Sequence, residues 1–189
     1  MSSRLIVCRL DDDEPNGLSE WVTAAEMAEA VGFAPRRRRE YLTWRAMVRR
    51  ELGRDVAISY AANGAPQVDC GVFISVSHST DLVAVCIGDS PCAVDTEPLR
   101  RNFDRVKPRY LSAAEASLSD DVRLAAAVWC AKEALYKLAG SEGVDFLNDI
   151  RIVAVDFTAG TITGTVCGGA PVGLAITFRE DNIIVSGEL

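Results

Sequence analysis

Histidine is almost missing from this chain: one residue, His78, stands among 189. That excludes metal centres built on several imidazoles and catalysis by histidine pairs. Cysteine occurs at positions 8, 70, 86, 92, 130 and 167, and no two are spaced C-x-x-C. The spacing gives a Cys/His zinc site poor support, and the thiols are expected to be reduced and buried as small hydrophobes. Long apolar runs are absent too. The first, Leu5 to Cys8, is far shorter than a signal-peptide core, and the acidic run 11–14 follows at once. No later stretch approaches the roughly 20 apolar residues that span a bilayer. These absences point to a cytoplasmic chain with no membrane segment. With 49% hydrophobic and 25% charged residues and no low-complexity segment, the composition is that of a globular protein, of one domain or two tightly joined halves.

The net charge of −7 argues against a general nucleic-acid binder. The charge is uneven, however. Residues 36–54 carry eight arginines (36, 37, 38, 39, 45, 49, 50 and 54) against Glu40 and Glu51, and residues 100–109 carry five basic groups against Asp104. Two basic segments on an acidic protein suit an anionic ligand or an acidic partner.

Periodicity predicts a strand at Leu5–Leu10, a helix over Ser19–Val31, and a second helix from about Arg36 to Leu52 with Pro35 in its first turn and Gly53 as its stop. Tyr41, Trp44, Val48 and Leu52 make its apolar face, which sets most arginines on other faces. Strands are expected at Val56–Tyr60, Val72–Ser77, Leu82–Ile87 and Cys92–Glu97. The clearest helix spans Asp121–Ala139, with Leu124, Val128, Ala131, Leu135 and Leu138 in one stripe and Gly140 as its end. Four more strands follow, at Ile150–Phe157, Thr161–Val166, Val172–Phe178 and Ile183–Ser186. Segments 72–85 and 173–186 share apolar, polar and turn positions, and each follows a tryptophan-bearing helix. The expected fold class is α+β: two similar α+β halves, 1–92 and 93–189, packed as a pseudo-dimer.

Three clusters could carry chemistry. In Asp95-Thr96-Glu97, strand alternation sends both carboxylates from one face, a partial shell for magnesium or simply a solvated strand end before Pro98. In Trp129-x-x-Lys132-Glu133-x-x-x-Lys137, positions 129, 133 and 137 lie along one helix side. A carboxylate with a lysine one turn away can complete a metal site and hold a phosphate, or be an ordinary surface pair. In Ser75-x-Ser77-His78-Ser79, the histidine sits where a strand enters a turn, as a phosphate contact or a backbone-bonded turn residue. A Ser–His hydrolase is disfavoured, because adjacent residues of an extended chain point apart and no G-x-S-x-G elbow exists.

Taken in order, these clusters resemble the signatures of the 4′-phosphopantetheinyl transferase superfamily. Gly64-Ala65-Pro66 stands for its G-x-P element, Phe73 through Ser79 for its Phe…Ser-His-Ser element, Ala93 through Glu97 for G-V-D-x-E, and Trp129 through Lys137 for W-x-x-K-E-x-x-x-K. The length and the faint repeat are similar to the branch with two halves in one chain. The resemblance implies an enzyme that moves phosphopantetheine from coenzyme A to a serine of an apo acyl or peptidyl carrier protein, with 3′,5′-ADP leaving. It implies magnesium on Asp95, Glu97 and Glu133, with Asp95, Glu133 and Lys137 catalytic and Lys137 on the pyrophosphate. Ser77, His78 and Lys132 would line the coenzyme site, Arg38 and Arg45 would lie near the 3′-phosphate, and Trp129 would be a wall. It also implies a monomer. Two departures stand out: Ala65 replaces the usual lysine of G-K-P, and Ala93 replaces the glycine before Val-Asp. The rival expectations are a non-catalytic binder of coenzyme A or carrier protein, and a metal-dependent nucleotide phosphohydrolase.

Overall fold

The structure, a computed structural model, describes residues 3–10, 17–140 and 143–189. The acidic run 11–14 lies outside them. Strand β1 (Arg4–Arg9) precedes helices α1 (Ala24–Ala30) and α2 (Pro35–Leu52), then strands β2 (Ile58–Tyr60), β3 (Pro66–Val68), β4 (Phe73–His78), β5 (Leu82–Gly88) and β6 (Cys92–Pro98). Helices α3 (Ala113–Ala116) and α4 (Leu124–Ala139) follow, then β7 (Ile150–Asp156), β8 (Thr161–Val166), β9 (Val172–Arg179) and β10 (Asn182–Glu188). They form antiparallel sheets ordered β1-β5-β4 and β6-β10-β9-β8-β7, with β2-β3 a separate hairpin. The architecture is mixed α and β. Segments 72–85 and 173–186 are both antiparallel hairpins, β4-β5 and β9-β10.

The helix expected over Ser19–Val31 is broken. A short 3-10 turn, Leu18–Trp21, precedes α1, and Thr23 begins α1 with a capping box: its hydroxyl accepts from Glu26 N–H while the Glu26 carboxylate accepts from Thr23 N–H. The hairpin strand β3 and the helix α3 were not foreseen; α3 opens with the same device, Ser112 with Glu115.

Strand β5 is buried along its whole length, and its two faces serve different cores. Val83, Val85 and Ile87 pack on Trp44, Met47 and Val48 of α2. Leu82, Ala84 and Cys86 pack on Cys92 and Val94 of β6 and Ile184 of β10. The second large core lies between α4 and the five-stranded sheet, where Val128, Ala131 and Leu135 meet Ile150, Ile162, Ile183 and Val185. Close approach there needs Gly164, since a Cβ at that position would come within 2.6 Å of Leu135 Cδ1. Gly140 ends α4 in the left-handed conformation.

The two main sheets meet along β4 and β6, stitched by serine hydroxyls in place of a backbone ladder. Val94 N–H donates to Ser75 Oγ at 3.1 Å and Thr96 N–H to Ser77 Oγ at 3.2 Å. One turn further, Ser79 Oγ meets Asn182 Oδ1 at 2.8 Å. Both partners advance together, so the strands run the same way along this seam. Of the cysteines expected to be buried, Cys86, Cys92 and Cys130 are, while Cys70 and Cys167 are exposed. Among the described residues no helix is long and apolar enough to cross a membrane.

Candidate active site

The seam changes character along its length. At one end, Gly64, Ala65, Pro66, Ile74, Cys92 and Lys137 line a largely apolar cleft of about 290 Å³. It shares Ala65, Pro66, Ile74, Cys92 and Lys137 with a neighbouring cleft of about 490 Å³ that reaches Phe73 and Leu138. At the other end Arg36, His78, Arg100 and Arg101 surround a cleft of about 560 Å³ with Glu97 in its wall. Asp95 stands between the ends and is met by Lys137 from the apolar side.

Asp95 is 6% exposed. Its Oδ1 accepts from Ser77 Oγ at 2.9 Å and from Lys137 Nζ at 3.0 Å, and the same ammonium donates to Val94 O at 2.8 Å. Among the described residues its Oδ2 is buried without a hydrogen-bond partner, a cost of about 1–3 kcal/mol unless a ligand meets it. Glu97 Oε1 accepts from Trp129 Nε1 at 3.2 Å and from Arg101. Glu133 makes no hydrogen bond or ion pair among the described residues, one helical turn before Lys137. Asp95 acts electrostatically on both of the other carboxylates. Burial pushes Glu133 above the ordinary carboxylate range, and the negative charges of Asp95 and Glu97 push it further, against Lys137 and Arg101. Glu97 is raised by burial and by Asp95, against Arg101 and the Trp129 hydrogen bond. Burial also pushes the Cys130 thiol beneath them well up, with Asp95 and Glu97 adding to it.

Does this donor set fit a divalent cation? Among the described residues no three side chains are gathered into a ready-made shell. Magnesium needs none, since it binds through one or two carboxylates and keeps waters and phosphate oxygens for the rest. A buried carboxylate oxygen with no described partner, beside carboxylates that it raises by its charge, suits such an ion. Asp95, Glu97 and Glu133 are the candidates, of which one or two would hold it together with waters and phosphate oxygens.

His78 opens onto the basic cleft with its Nδ1 3.5 Å from Glu40 Oε1. Burial lowers its pKa, Glu40 opposes, and Arg37, Arg36 and Lys137 lower it further. Ser77 spends its hydroxyl inside the seam on Asp95 and Thr96. Trp129 packs edge-on against Tyr110 at 5.0 Å.

Two expectations are corrected. Lys132 does not line the site. It is fully buried, and its ammonium meets Glu115 Oε1 at 2.8 Å, Tyr110 O at 2.6 Å and Phe146 O at 2.7 Å. Its neighbour Glu133 faces the seam, but one residue along a helix turns about 100°, which aims Lys132 into the core. Arg45 is not free for a phosphate either. It is 4% exposed, with its Nε 3.2 Å from Glu26 Oε1, an Nη on Tyr60 Oη at 2.8 Å, and its guanidinium 3.5 Å from the Tyr41 ring centroid. Arg49, one turn on, bonds Glu26 at 2.7 and 2.9 Å. Both arginines lie on the face of α2 that packs on α1, so they cement helices. Arg38 is half-buried and makes no hydrogen bond or ion pair with its side chain among the described residues, but Arg36 is the arginine of α2 that lines the basic cleft. Arg101 went unnoticed as an individual; its spacing of four from Glu97 was the available signal. Glu115 was hidden in its capping box.

The seam thus sets carboxylates and a lysine between a cationic cleft and a largely apolar one. The family model of the 4′-phosphopantetheinyl transferase superfamily matches residues 91–180, a stretch holding Asp95, Glu97, Glu133 and Lys137, and this domain belongs to that superfamily. No curated protein matches the chain.

Proposed function

We propose that the protein transfers 4′-phosphopantetheine from coenzyme A to a serine of an apo acyl or peptidyl carrier protein. The observation that carries this reading is the buried, unpartnered Asp95 Oδ2 beside Lys137, where the basic cleft meets the apolar one. The nucleotide phosphates would face Arg36, His78 and the two arginines after Glu97, and the uncharged pantetheine arm would follow Ala65, Pro66, Ile74 and Cys92. The pyrophosphate would then lie over Asp95, Glu133 and Lys137.

In the reaction the serine oxygen bonds to the β-phosphorus as the bond from that phosphorus to the leaving phosphate oxygen breaks, and 3′,5′-ADP departs. Glu133, one helical turn before Lys137, takes the serine proton directly or through a metal-bound water. Lys137, already held by Val94 O and Asp95, meets the charge that develops on the leaving phosphate. Ser77 fixes the Asp95 carboxylate. Magnesium on Asp95, Glu97 and Glu133 would neutralise the pyrophosphate and clamp its geometry.

The halves 1–92 and 93–189 give this site its two walls: β4 and His78 from one, β6 and α4 from the other. A single chain then holds a whole site, so we propose a cytoplasmic monomer acting on a soluble acidic carrier, which the basic surface would attract. Ala65 leaves the turn at Gly64 without the lysine the family often has there.

The test is to incubate the protein with coenzyme A and magnesium, with and without a panel of apo carriers, and to follow 3′,5′-ADP. Release that requires both a carrier and magnesium supports the transferase. Release without any carrier would mean a phosphohydrolase, and binding of coenzyme A with no release would mean a non-catalytic binder.

A further inference from the structure

Each basic group of the cationic cleft is tied to a carboxylate. Arg36 Nε meets Glu40 at 2.8 Å, His78 shares that carboxylate, and Arg100 meets Asp81 at 2.7 Å. Arg101 differs in its partner, Glu97, which is one of the three carboxylates suited to the cation. Both hydrogen bonds to Glu97 end on Oε1, one from Arg101 and one from Trp129, so Oε2 is left open. The guanidinium also lies over aromatic faces, 4.7 Å from the Trp129 ring centroid and 5.3 Å from that of Phe103. It can pivot across those faces while keeping its stacking.

The Arg101 and Glu97 side chains are 31% and 19% exposed. An ion pair this accessible contributes little to stability, and its partners are both groups that a metal–phosphate ligand needs. An arriving cation takes the carboxylate and an arriving phosphate takes the guanidinium. One internal pair is exchanged for two external ones with no charge left uncompensated, and a planar fork of donors suits a phosphate well.

We propose that Arg101 is an anion-binding residue held in reserve by Glu97: without ligand it neutralises the carboxylate and weakens cation binding, and with coenzyme A it turns onto a phosphate and releases the carboxylate to the cation. This rests on the transferase reading above for the identity of the ligand. It makes Arg101 act with opposite signs on the two halves of the ligand, which a permanent structural ion pair does not.

The experiment uses the full chain as wild type, Arg101→Gln and Arg101→Lys. Coenzyme A binding is measured by calorimetry in the presence of EDTA, and manganese binding without coenzyme A by electron paramagnetic resonance. Arg101→Gln should weaken metal-free coenzyme A binding about tenfold, the worth of one charge-assisted contact. It should also tighten manganese binding severalfold, roughly what removing a unit charge a few ångströms away gives at a half-exposed site. Arg101→Lys keeps the charge and loses the fork, so manganese affinity should stay near wild type while coenzyme A binding falls part of the way. Lysine is the gentler change, and its two affinities test the same idea if the glutamine variant folds poorly. Unchanged coenzyme A affinity in Arg101→Gln, or weaker manganese binding, overturns the proposal and leaves the transferase reading standing. Wild-type chain that binds no coenzyme A overturns both.

Discussion

The two lysines of α4 stand five residues apart and have opposite fates. Lys132 lies in a closed polar hub: Glu115, Tyr110 and Phe146 take its donors, and Glu115 in turn accepts from Ser112 and from Ile152 N–H at 2.9 Å. Lys137 lies in an open one, where Asp95 keeps an unpartnered oxygen and Glu133 has no described partner. A closed network holds segments together, here α3, α4 and β7. An open network has spare valence for something outside the chain. Charge shows the same contrast. Burial pushes Glu115 up, but its hydrogen bonds from Ile152, Lys132 and Ser112 outweigh that and leave it below the ordinary range. Glu97 and Glu133 end above it.

The largest effect expected at the open end is on activity. Asp95→Asn keeps the size and the Ser77 contact but removes the charge, and transfer should fall about 10³-fold or more, read as carrier modification at saturating coenzyme A. A near-normal rate would remove Asp95 from the chemistry. At the closed end the effect falls on stability. Lys132→Met leaves the Glu115 carboxylate buried and unpaired, at a cost of about 3–5 kcal/mol in urea unfolding. A folded, equally stable but inactive Lys132→Met would move this residue back to the active site. Between the two lies Ser77→Ala, which strips Thr96 N–H and Asp95 of a partner. It should cost about 1–3 kcal/mol and also raise the magnesium needed for half-maximal rate.

The smallest effect is the most diagnostic of an open site. Glu133 is held above its unfolded pKa, so its protonated form is favoured by folding. That stability is fully present below the unfolded value of about 4.3 and is lost as pH rises through the folded value. Glu133→Gln should therefore stabilise the ligand-free protein at pH 7.5, by less than about 1 kcal/mol, while abolishing transfer, and the gain should vanish near pH 4. Glu115 has the reverse sign: its contribution is present above the unfolded pKa and lost as pH falls through the lowered folded one, so Glu115→Gln should destabilise most at neutral pH.

Much of the open end was legible in the sequence because local geometry fixes it. Strand alternation relates Asp95 to Glu97, and the helical period relates Trp129, Glu133 and Lys137. The strands after α4 fell within a residue or two of expectation, since glycine or charge bounds each one. What was hidden depends on partners far along the chain. Lys132 is bonded to residues 22 and 14 positions away, and nothing local distinguishes it from a site lysine. Arg45 and Arg49 look like surface charges until α1 brings Glu26 against them. The serine stitch requires knowing that β6 runs beside β4. The break before α1 was readable, by contrast, because Thr23 and Glu26 spell a capping box inside the stretch 19–31 expected to be one helix.

The account turns on whether the seam transfers phosphopantetheine, and intact-protein mass spectrometry of an apo carrier tests that directly. With coenzyme A and magnesium, wild-type protein should add the mass of one phosphopantetheine to a serine of the carrier, Lys132→Met should do the same at a temperature where it stays folded, and Asp95→Asn and Lys137→Ala should not. A carrier left unmodified by wild-type protein that has bound coenzyme A and magnesium, across fatty-acid, polyketide and peptide carriers alike, would contradict it.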